Sequence, residues 1–571
     1  MKRFFPFLRW FPYQLPTLRA DLIAGITVAL VLIPQSMAYA QLAGLPAYFG
    51  LYAAFLPVAV AAMWGSSNQL GSGPVAVVSL LTASALSTFA QTGTDAYIAL
   101  AILLSFTVGM IQLALGVFKL GVIVNFLSHP VILGFSNAAA LIIALSQVSK
   151  LFGLKMASSG HFMIDFWDMI KQVGHTHLPT LGLGILAISI MWSLKKWIPK
   201  IPGVLAAVAV TTVISWSTGF DGAIVGSIPQ GLPELKVPQL SLSGISSLLS
   251  AALVISLVGF MEAISIAKAV AAKTRQRIDP NQELIGQGLS NIAGSFSQSY
   301  PVSGSFSRTA VNRDAGALTG MSSVFTALIV LVALLFLTPL LYHLPQAALG
   351  AIIIMAVTGL INIEGIKHAW QASKHDGLAA IVTFIATLTF APHLDTGIII
   401  GTLLSLGLYL YRTMRPRVAI LGRYEDGTLR DTNVHKNLPT NKELVAIRFD
   451  GSLYFANVSY FEDAILGAVA NQPSAKTVLI VGSGINQLDA SGEEVIHHLI
   501  DRLKSTGVSV VFSGLKKQVL DVMQKTGLLT AIGSDNIFAT DDLAIKAIYA
   551  RHGLDTQNDP FIVDSNNSTL Q

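Results

Sequence analysis

Two polar breaks interrupt a chain that is otherwise apolar over long distances. Ser299 to Asn312, SYPVSGSFSRTAVN, is rich in hydroxyls and small residues and carries Arg308. Gly71 to Ser79, GSGPVAVVS, is a similar interruption far upstream. At membrane depth, irregular backbone survives only where protein or a cavity shelters it. Paired glycine- and proline-interrupted segments in corresponding halves point to a transporter's binding site. Because the residue before a proline avoids helix, Tyr300-Pro301 puts the start of the next helix near Ser305. Pro74 suits the opening turn of a second one. Two facing helix starts, each worth about half a positive charge, together with Arg308 make a local charge of about +2. A dianion such as sulfate matches that charge. Ser303, Ser305 and Ser307 then donate to its oxygens. The competing readings are that Arg308 caps carbonyls or snorkels, and that the serines only allow close helix packing.

Glu262, in LVISLVGFMEAISIAKAV, lies midway along an uncharged segment. A carboxylate there costs about 2.5 to 3.5 kcal/mol on insertion scales, which makes it a functional candidate. Its ionisation answers to nearby charge, either as a proton-coupling group or as a fixed partner of Arg308. Gln35 and Tyr39 fall four residues apart on one helix face, where they either line the anion site or stabilise packing beside Pro34. His129, His343, His375 and His393 sit near span ends without ligand spacing, so no metal and no cofactor is expected. Gly482-Ser483-Gly484 lacks both the dinucleotide fingerprint and a phosphate-binding lysine. At Asp489-Ala490-Ser491-Gly492, Asp489 or Ser491 caps a helix, or Ser491 is a phosphorylation site.

These groups need elements to hold them. The 571 residues are 53% hydrophobic and 12% charged, whereas soluble domains carry about 25% charged residues. The chain is therefore a membrane protein, and a net charge of +5 spread beside apolar segments is read as topology rather than nucleic-acid binding. It has no cysteine, which excludes disulfides and thiolate chemistry. The start, MKRFFPFLRWFPYQLPTLRADL, has prolines that break a signal-peptide core, so residues 1–20 are expected to lie at the cytoplasmic interface. Spans are predicted at 21–42, 46–64, 74–91, 95–118, 128–150, 178–197 and 202–219. A second set falls at 250–271, 283–297, 304–318, 321–341, 346–364, 376–392 and 394–412. Lys2, Arg3, Arg9 and Arg19 precede the first span and Arg412, Arg415, Arg417 and Arg423 follow the last, so both ends are expected in the cytoplasm. Inside loops then hold Lys119, Lys195, Lys196, Lys200, Lys273, Arg275, Arg277, Arg313, Lys367 and Lys374. Lys150, Lys155 and Lys171 fall outside, against the rule. Seven spans per half invert the second half relative to the first. After the transport domain (21–412) come a linker (413–440), a small α/β domain (441–554) and a tail (555–571) whose composition predicts disorder.

The segments LIPQSMAYAQLAGLPAYFGLYAAFLP (32–57), GSGPVAVVSLL (71–81), NQELIGQGLSNIAGSF (281–296) and SGSFSRTAVN (303–312) resemble the sulfate permease family, and the closing domain resembles a STAS domain. The resemblance implies an α-helical polytopic membrane protein of fourteen spans, a 7+7 inverted repeat whose core domain moves against a gate domain as an elevator. It implies a substrate site between the third and tenth spans, formed by Gln35, Tyr39, Val75, Ala76, Ser305, Phe306, Ser307 and Arg308, with Glu262 on the eighth. Sodium-using bicarbonate members have an aspartate matching Glu262 and hydroxyls where this chain has Ile266 and Phe306, which favours protons over sodium here. Ser491 matches the serine phosphorylated in anti-sigma-factor antagonists, and family members form dimers. The expectation is thus no enzyme but a proton-coupled sulfate uptake system in a lipid bilayer, the bacterial inner membrane, as a homodimer with a cytoplasmic STAS domain. Bicarbonate or a dicarboxylate is the alternative substrate. An uncoupled anion channel or a nucleobase permease is the alternative mechanism.

Overall fold

The computed structural model describes residues 5–122, 127–156, 161–198, 201–554, 559 and 561. Lys2, Arg3, Lys200 and most of the 555–571 tail lie outside the described residues. The chain divides into two compact units, Met1–Ser405 and Leu406–Gln571.

The first unit opens with α1 (Leu15–Leu42), followed by α2 (Tyr48–Ala53), α3 (Leu56–Trp64), β1 (Gly71–Gly73), α4 (Ala76–Leu86), α5 (Asp95–Val117) and α6 (His129–Phe152). Next come α7 (Phe162–Ile170), α8 (Leu178–Trp197), α9 (Gly203–Thr218), α10 (Leu242–Thr274), α11 (Pro280–Phe296), β2 (Ser303–Ser305) and α12 (Phe306–Asp314). The rest of the unit is α13 (Met321–Val332), α14 (Gln346–Val357), α15 (Ile363–Ala372), α16 (Lys374–Thr389) and α17 (Leu394–Met414), whose last turns enter the second unit. The first helix starts six residues before Asp21, because Pro16 fits a first helical turn whose N–H groups have no partner anyway. Among the described residues, eight helices are long and apolar enough to cross a membrane unaided. The remaining spans are short or broken. The one expected at 46–64 divides into α2 and α3, and those expected at 74–91 and 304–318 shrink to the 11 residues of α4 and the 9 of α12. Helices α7 and α15 are additions that hydropathy did not single out.

The inverted repeat is visible in the packing. Helix α1 packs against α12 and α13 as α10 packs against α4 and α5, and α3 meets α13 as α11 meets α5. β1 and β2 pair antiparallel, so the two half-helices that follow them run in opposite senses. One group of helices (α1–α5 and α10–α13) surrounds this pair. A second group (α6, α8, α9, α14 and α16) packs mainly on itself, with α6 against α14 and α16 and α8 against α9 and α14.

The second unit is an α/β layer built on a sheet of order β4-β3-β5-β6-β7-β8. Its strands are β3 (Arg417–Arg423), β4 (Leu429–Asp431), β5 (Leu444–Asp450), β6 (Thr477–Val481), β7 (Ser509–Ser513) and β8 (Ile537–Phe538). β5 to β8 are parallel, and β3 runs antiparallel to β4 and β5. Alternation along β5 sends Val445, Ile447 and Phe449 to one face, under α18 (Val458–Ala470), α19 (Ala490–Ser505), α20 (Lys517–Thr526) and α21 (Leu528–Ile532). Leu444 and Ala446 face the other side, covered by α22 (Asp541–His552). The segment 413–440 is therefore not a plain linker, because Arg417–Arg423 supplies a strand of the same sheet. Its Val418 and Ile420 join one core while Ala419 and Leu421 join the other. β8, at two residues, was too short to read from sequence.

Candidate functional site

The site is organised by the β1–β2 pair, in which Gly71 opposes Ser305, Ser72 opposes Gly304 and Gly73 opposes Ser303. Two glycines make that pair possible. A Cβ on Gly304 would stand 2.9 Å from both Cα and Cβ of Ala263 on α10. Gly73 has φ +133°, a conformation L side chains rarely adopt, and a Cβ there would meet Nη2 of Arg308 at 3.4 Å. Polar side chains of the first helix group hold the pair from behind. Gln287 Nε2 donates to Ser72 Oγ at 2.9 Å, Ser303 Oγ to Gly259 O at 2.6 Å, and Val302 N to Asn291 Oδ1 at 2.8 Å. Asn291 Nδ2 also donates to Gln112 Oε1 at 3.0 Å. Gly71 N donates to Thr309 Oγ1 at 2.9 Å, and Thr309 Oγ1 donates to Ser305 O at 2.6 Å.

From this pair the half-helices depart in opposite senses with their N-termini toward the break. α12 begins at Phe306 with Ser305 as its cap, the hydroxyl accepting from Arg308 N at 3.5 Å. α4 begins at Ala76 with Val75 in the cap position and no side-chain cap. Pro74 therefore does not sit in the opening turn as expected. It precedes the cap, between the paired residues Gly71–Gly73 and Val75, whose backbone is still extended. An uncapped helix start leaves its first N–H groups to other partners, and anions suit them.

Arg308 is among the largest fully buried side chains, at 1% exposure, yet Nε, Nη1 and Nη2 have no hydrogen-bond partner. Glu262 Oε2 and Gln35 Oε1 are likewise buried and unpartnered. The anticipated fixed pairing of Glu262 with Arg308 is thus absent as a hydrogen-bonded ion pair among the described residues. The two remain electrostatic neighbours, together with Tyr39 and Tyr300. Of the residues expected here, Gln35, Tyr39, Val75, Ala76, Ser305 and Arg308 are buried, while Glu262 is half-buried. Phe306 is 67% exposed and Ser307 is also exposed, because both lie on the open side of the first α12 turn. Tyr300 was missed. Fully buried, its hydroxyl sits 3.3 Å from Ser79 Oγ and so ties the two breaks together. Gln287 and Asn291 were missed too, although amides four apart in an apolar helix were a signal.

In the second unit, Asp489 rather than Ser491 caps α19, accepting from Gly492 N at 2.8 Å. Ser491 is half-buried in the first turn rather than exposed. No cluster of three or more His, Asp or Glu side chains able to hold a metal occurs among the described residues.

A buried guanidinium without a hydrogen-bond partner, carried in the first turn of α12 beside the β1–β2 pair, has the chemistry to pair with an oxyanion. A sequence model described as the sulfate permease family matches residues 18–383, and one described as the STAS domain matches 435–544. The chain is 36% identical over 551 residues to the probable sulfate transporter 4.2 of Arabidopsis thaliana, covering 93% of this chain and 80% of that one. It is 32% identical over 545 residues to the probable sulfate transporter MT1781 of Mycobacterium tuberculosis, covering 94% and 97%. Among solved structures it is similar to the murine Slc26a9 anion transporter in the inward-facing state, with a TM-score of 0.87, 25% identity and coverage of 96% and 94%.

Proposed function

Because the chain belongs to the sulfate permease family, we propose that it is a secondary active transporter that takes up a small oxyanion, sulfate first, together with protons. The observation that carries this reading is the buried Arg308, whose three nitrogens lack protein partners. An uncompensated buried charge costs several kcal/mol, and a doubly charged oxyanion offers the acceptors that would offset it. Gln35, Tyr39, Val75, Ala76 and Ser305 surround that position on this reading, with Phe306 and Ser307 at its open edge. Glu262 is the proton-coupling group. When it is ionised the local charge drops to about +1 and a dianion binds less well; protonation restores about +2.

The division of the spans into a group around the β1–β2 pair and a self-packed group supports an elevator in which the first moves against the second. Relatives named as sulfate transporters support sulfate over bicarbonate or a dicarboxylate. The proposed setting is a bacterial inner membrane, with both termini and the STAS domain in the cytoplasm and two copies per assembly. Ser491 is proposed as a phosphorylation site, since added charge at a helix start is tolerated.

Uptake of radiolabelled sulfate by the purified full chain in proteoliposomes tests the reading. Sulfate uptake should accelerate when the outside is acidified, and Arg308→Ala should abolish it. Uptake unchanged in Arg308→Ala, or equal at both pH values, overturns the assignment. Competition with bicarbonate and fumarate ranks the substrates.

A further inference from the structure

Lys150 breaks the charge pattern that orients the membrane unit, and the structure shows where its charge goes. A cavity of about 790 Å³ lies at the C-terminal ends of α1, α4 and α6. Its polar lining includes Gln41 of α1, Ser84 and Ser87 at the end of α4, and Ser146, Gln147 and Lys150 on successive turns of α6. Among the described residues Lys150 Nζ donates one hydrogen bond, to Gln41 Oε1 at 3.2 Å. An ammonium has three to give. Lys150 and Asp165 are the charged residues of the described lining, and Asp165 has a partner of its own. The cavity is also connected to the central site by α4. The last turn of that helix lines the cavity, and its 11 residues span about 16 Å at 1.5 Å per residue back to the break at Arg308.

We propose that this cavity is a second anion station, an antechamber in which Lys150 holds a tetrahedral oxyanion before it reaches Arg308. The proposal rests on the transport reading above, which also makes this the external end. A cation in a concave, low-dielectric wall focuses its field and raises the local anion concentration. Lysine does so as a mobile point charge, suited to brief capture, whereas the planar fork of arginine suits a specific site. The arriving anion competes with Gln41 Oε1 for the same ammonium. Gln41 belongs to one helix group and Lys150 to the other, so capture also loosens a tie between them.

The test is labelling of lysines in the purified full chain with an amine-modifying reagent, with and without inorganic sulfate at constant ionic strength, read by mass spectrometry. Sulfate should slow labelling of Lys150 several-fold and leave the exposed Lys171 unchanged. The protection should persist in Arg308→Ala, or in Arg308→Gln should the alanine variant not fold. Absence of protection, or its loss when Arg308 is replaced, overturns the antechamber. Protection of Lys150 in a protein that moves no sulfate would instead sink the transport reading and leave the antechamber standing. In proteoliposomes, Lys150→Gln should raise KM for external sulfate about tenfold at low ionic strength with kcat kept, whereas Lys150→Arg, which retains the cation, should keep the wild-type KM. An unchanged KM in Lys150→Gln counts against the proposal.

Discussion

Arg308 and Glu262 are each expensive where they sit, and neither relieves the other by a hydrogen bond. In a settled structural pair the two would be joined, since breaking a buried ion pair costs about 3 to 5 kcal/mol. On the proposed reading the guanidinium is completed by an oxyanion and the carboxylate by a proton, and the two events favour one another through charge. Glu262→Gln fixes the neutral form at nearly constant shape. Initial sulfate uptake in that variant should therefore lose its acceleration at acidic pH and run near the acid rate throughout. A wild-type pH profile in Glu262→Gln would remove the residue from the coupling. The sequence exposed both residues because a charge within an apolar run is conspicuous. It could not show that they stay unjoined, since that depends on the paths of α10 and α12.

The β1–β2 pair turns two polar breaks into one site. Its glycines are a steric requirement, because β2 lies directly on α10 at Gly304. Gly304→Ala must push the pair off Ala263, and overpacking of this kind costs about 1 to 3 kcal/mol. Thermal unfolding of the purified chain should show that loss, accompanied by weaker sulfate uptake. Gly182→Ala is the control. Nothing lies within 4 Å of a Cβ on Gly182 in the second turn of α8, so it should be neutral or slightly stabilising. A Gly304→Ala protein as stable as Gly182→Ala would show that the pair has room to shift. That two breaks existed was legible in their prolines, glycines and serines. Their antiparallel register was not, because three-residue strands carry no pattern of their own.

The whole chain joins two units with separate apolar cores, and pH should act on them separately. Asp431, at the end of β4, accepts from Asn433 N at 2.9 Å and from Arg417 Nη2 at 2.5 Å. Burial opposes its charge, but the Asn433 amide and the Arg417 guanidinium outweigh it and hold the carboxyl below the usual aspartate range. A depressed value in the folded state stabilises above the ordinary value of about 3.9 and is lost as pH falls through the folded one. Asp431→Asn should lower the melting transition of the α/β unit at neutral pH, leave the membrane unit's transition in place, and match wild type in strong acid. A deficit that persisted at acidic pH would assign the effect to packing rather than charge.

Read alone, the sequence determined the membrane class, the count and order of spans, the α/β unit and the two breaks. Each of these is a local consequence of hydropathy, strand-forming runs or backbone-breaking residues. Only the tertiary structure decided that Tyr300 meets Ser79, that Arg417–Arg423 is a strand rather than a linker, and that Phe306 and Ser307 are exposed while Arg308 beside them is buried. It also decided where Lys150 points, turning an exception to the charge rule into the one basic side chain among the described residues of a cavity. These outcomes depend on which distant segments become neighbours, which local propensity does not encode.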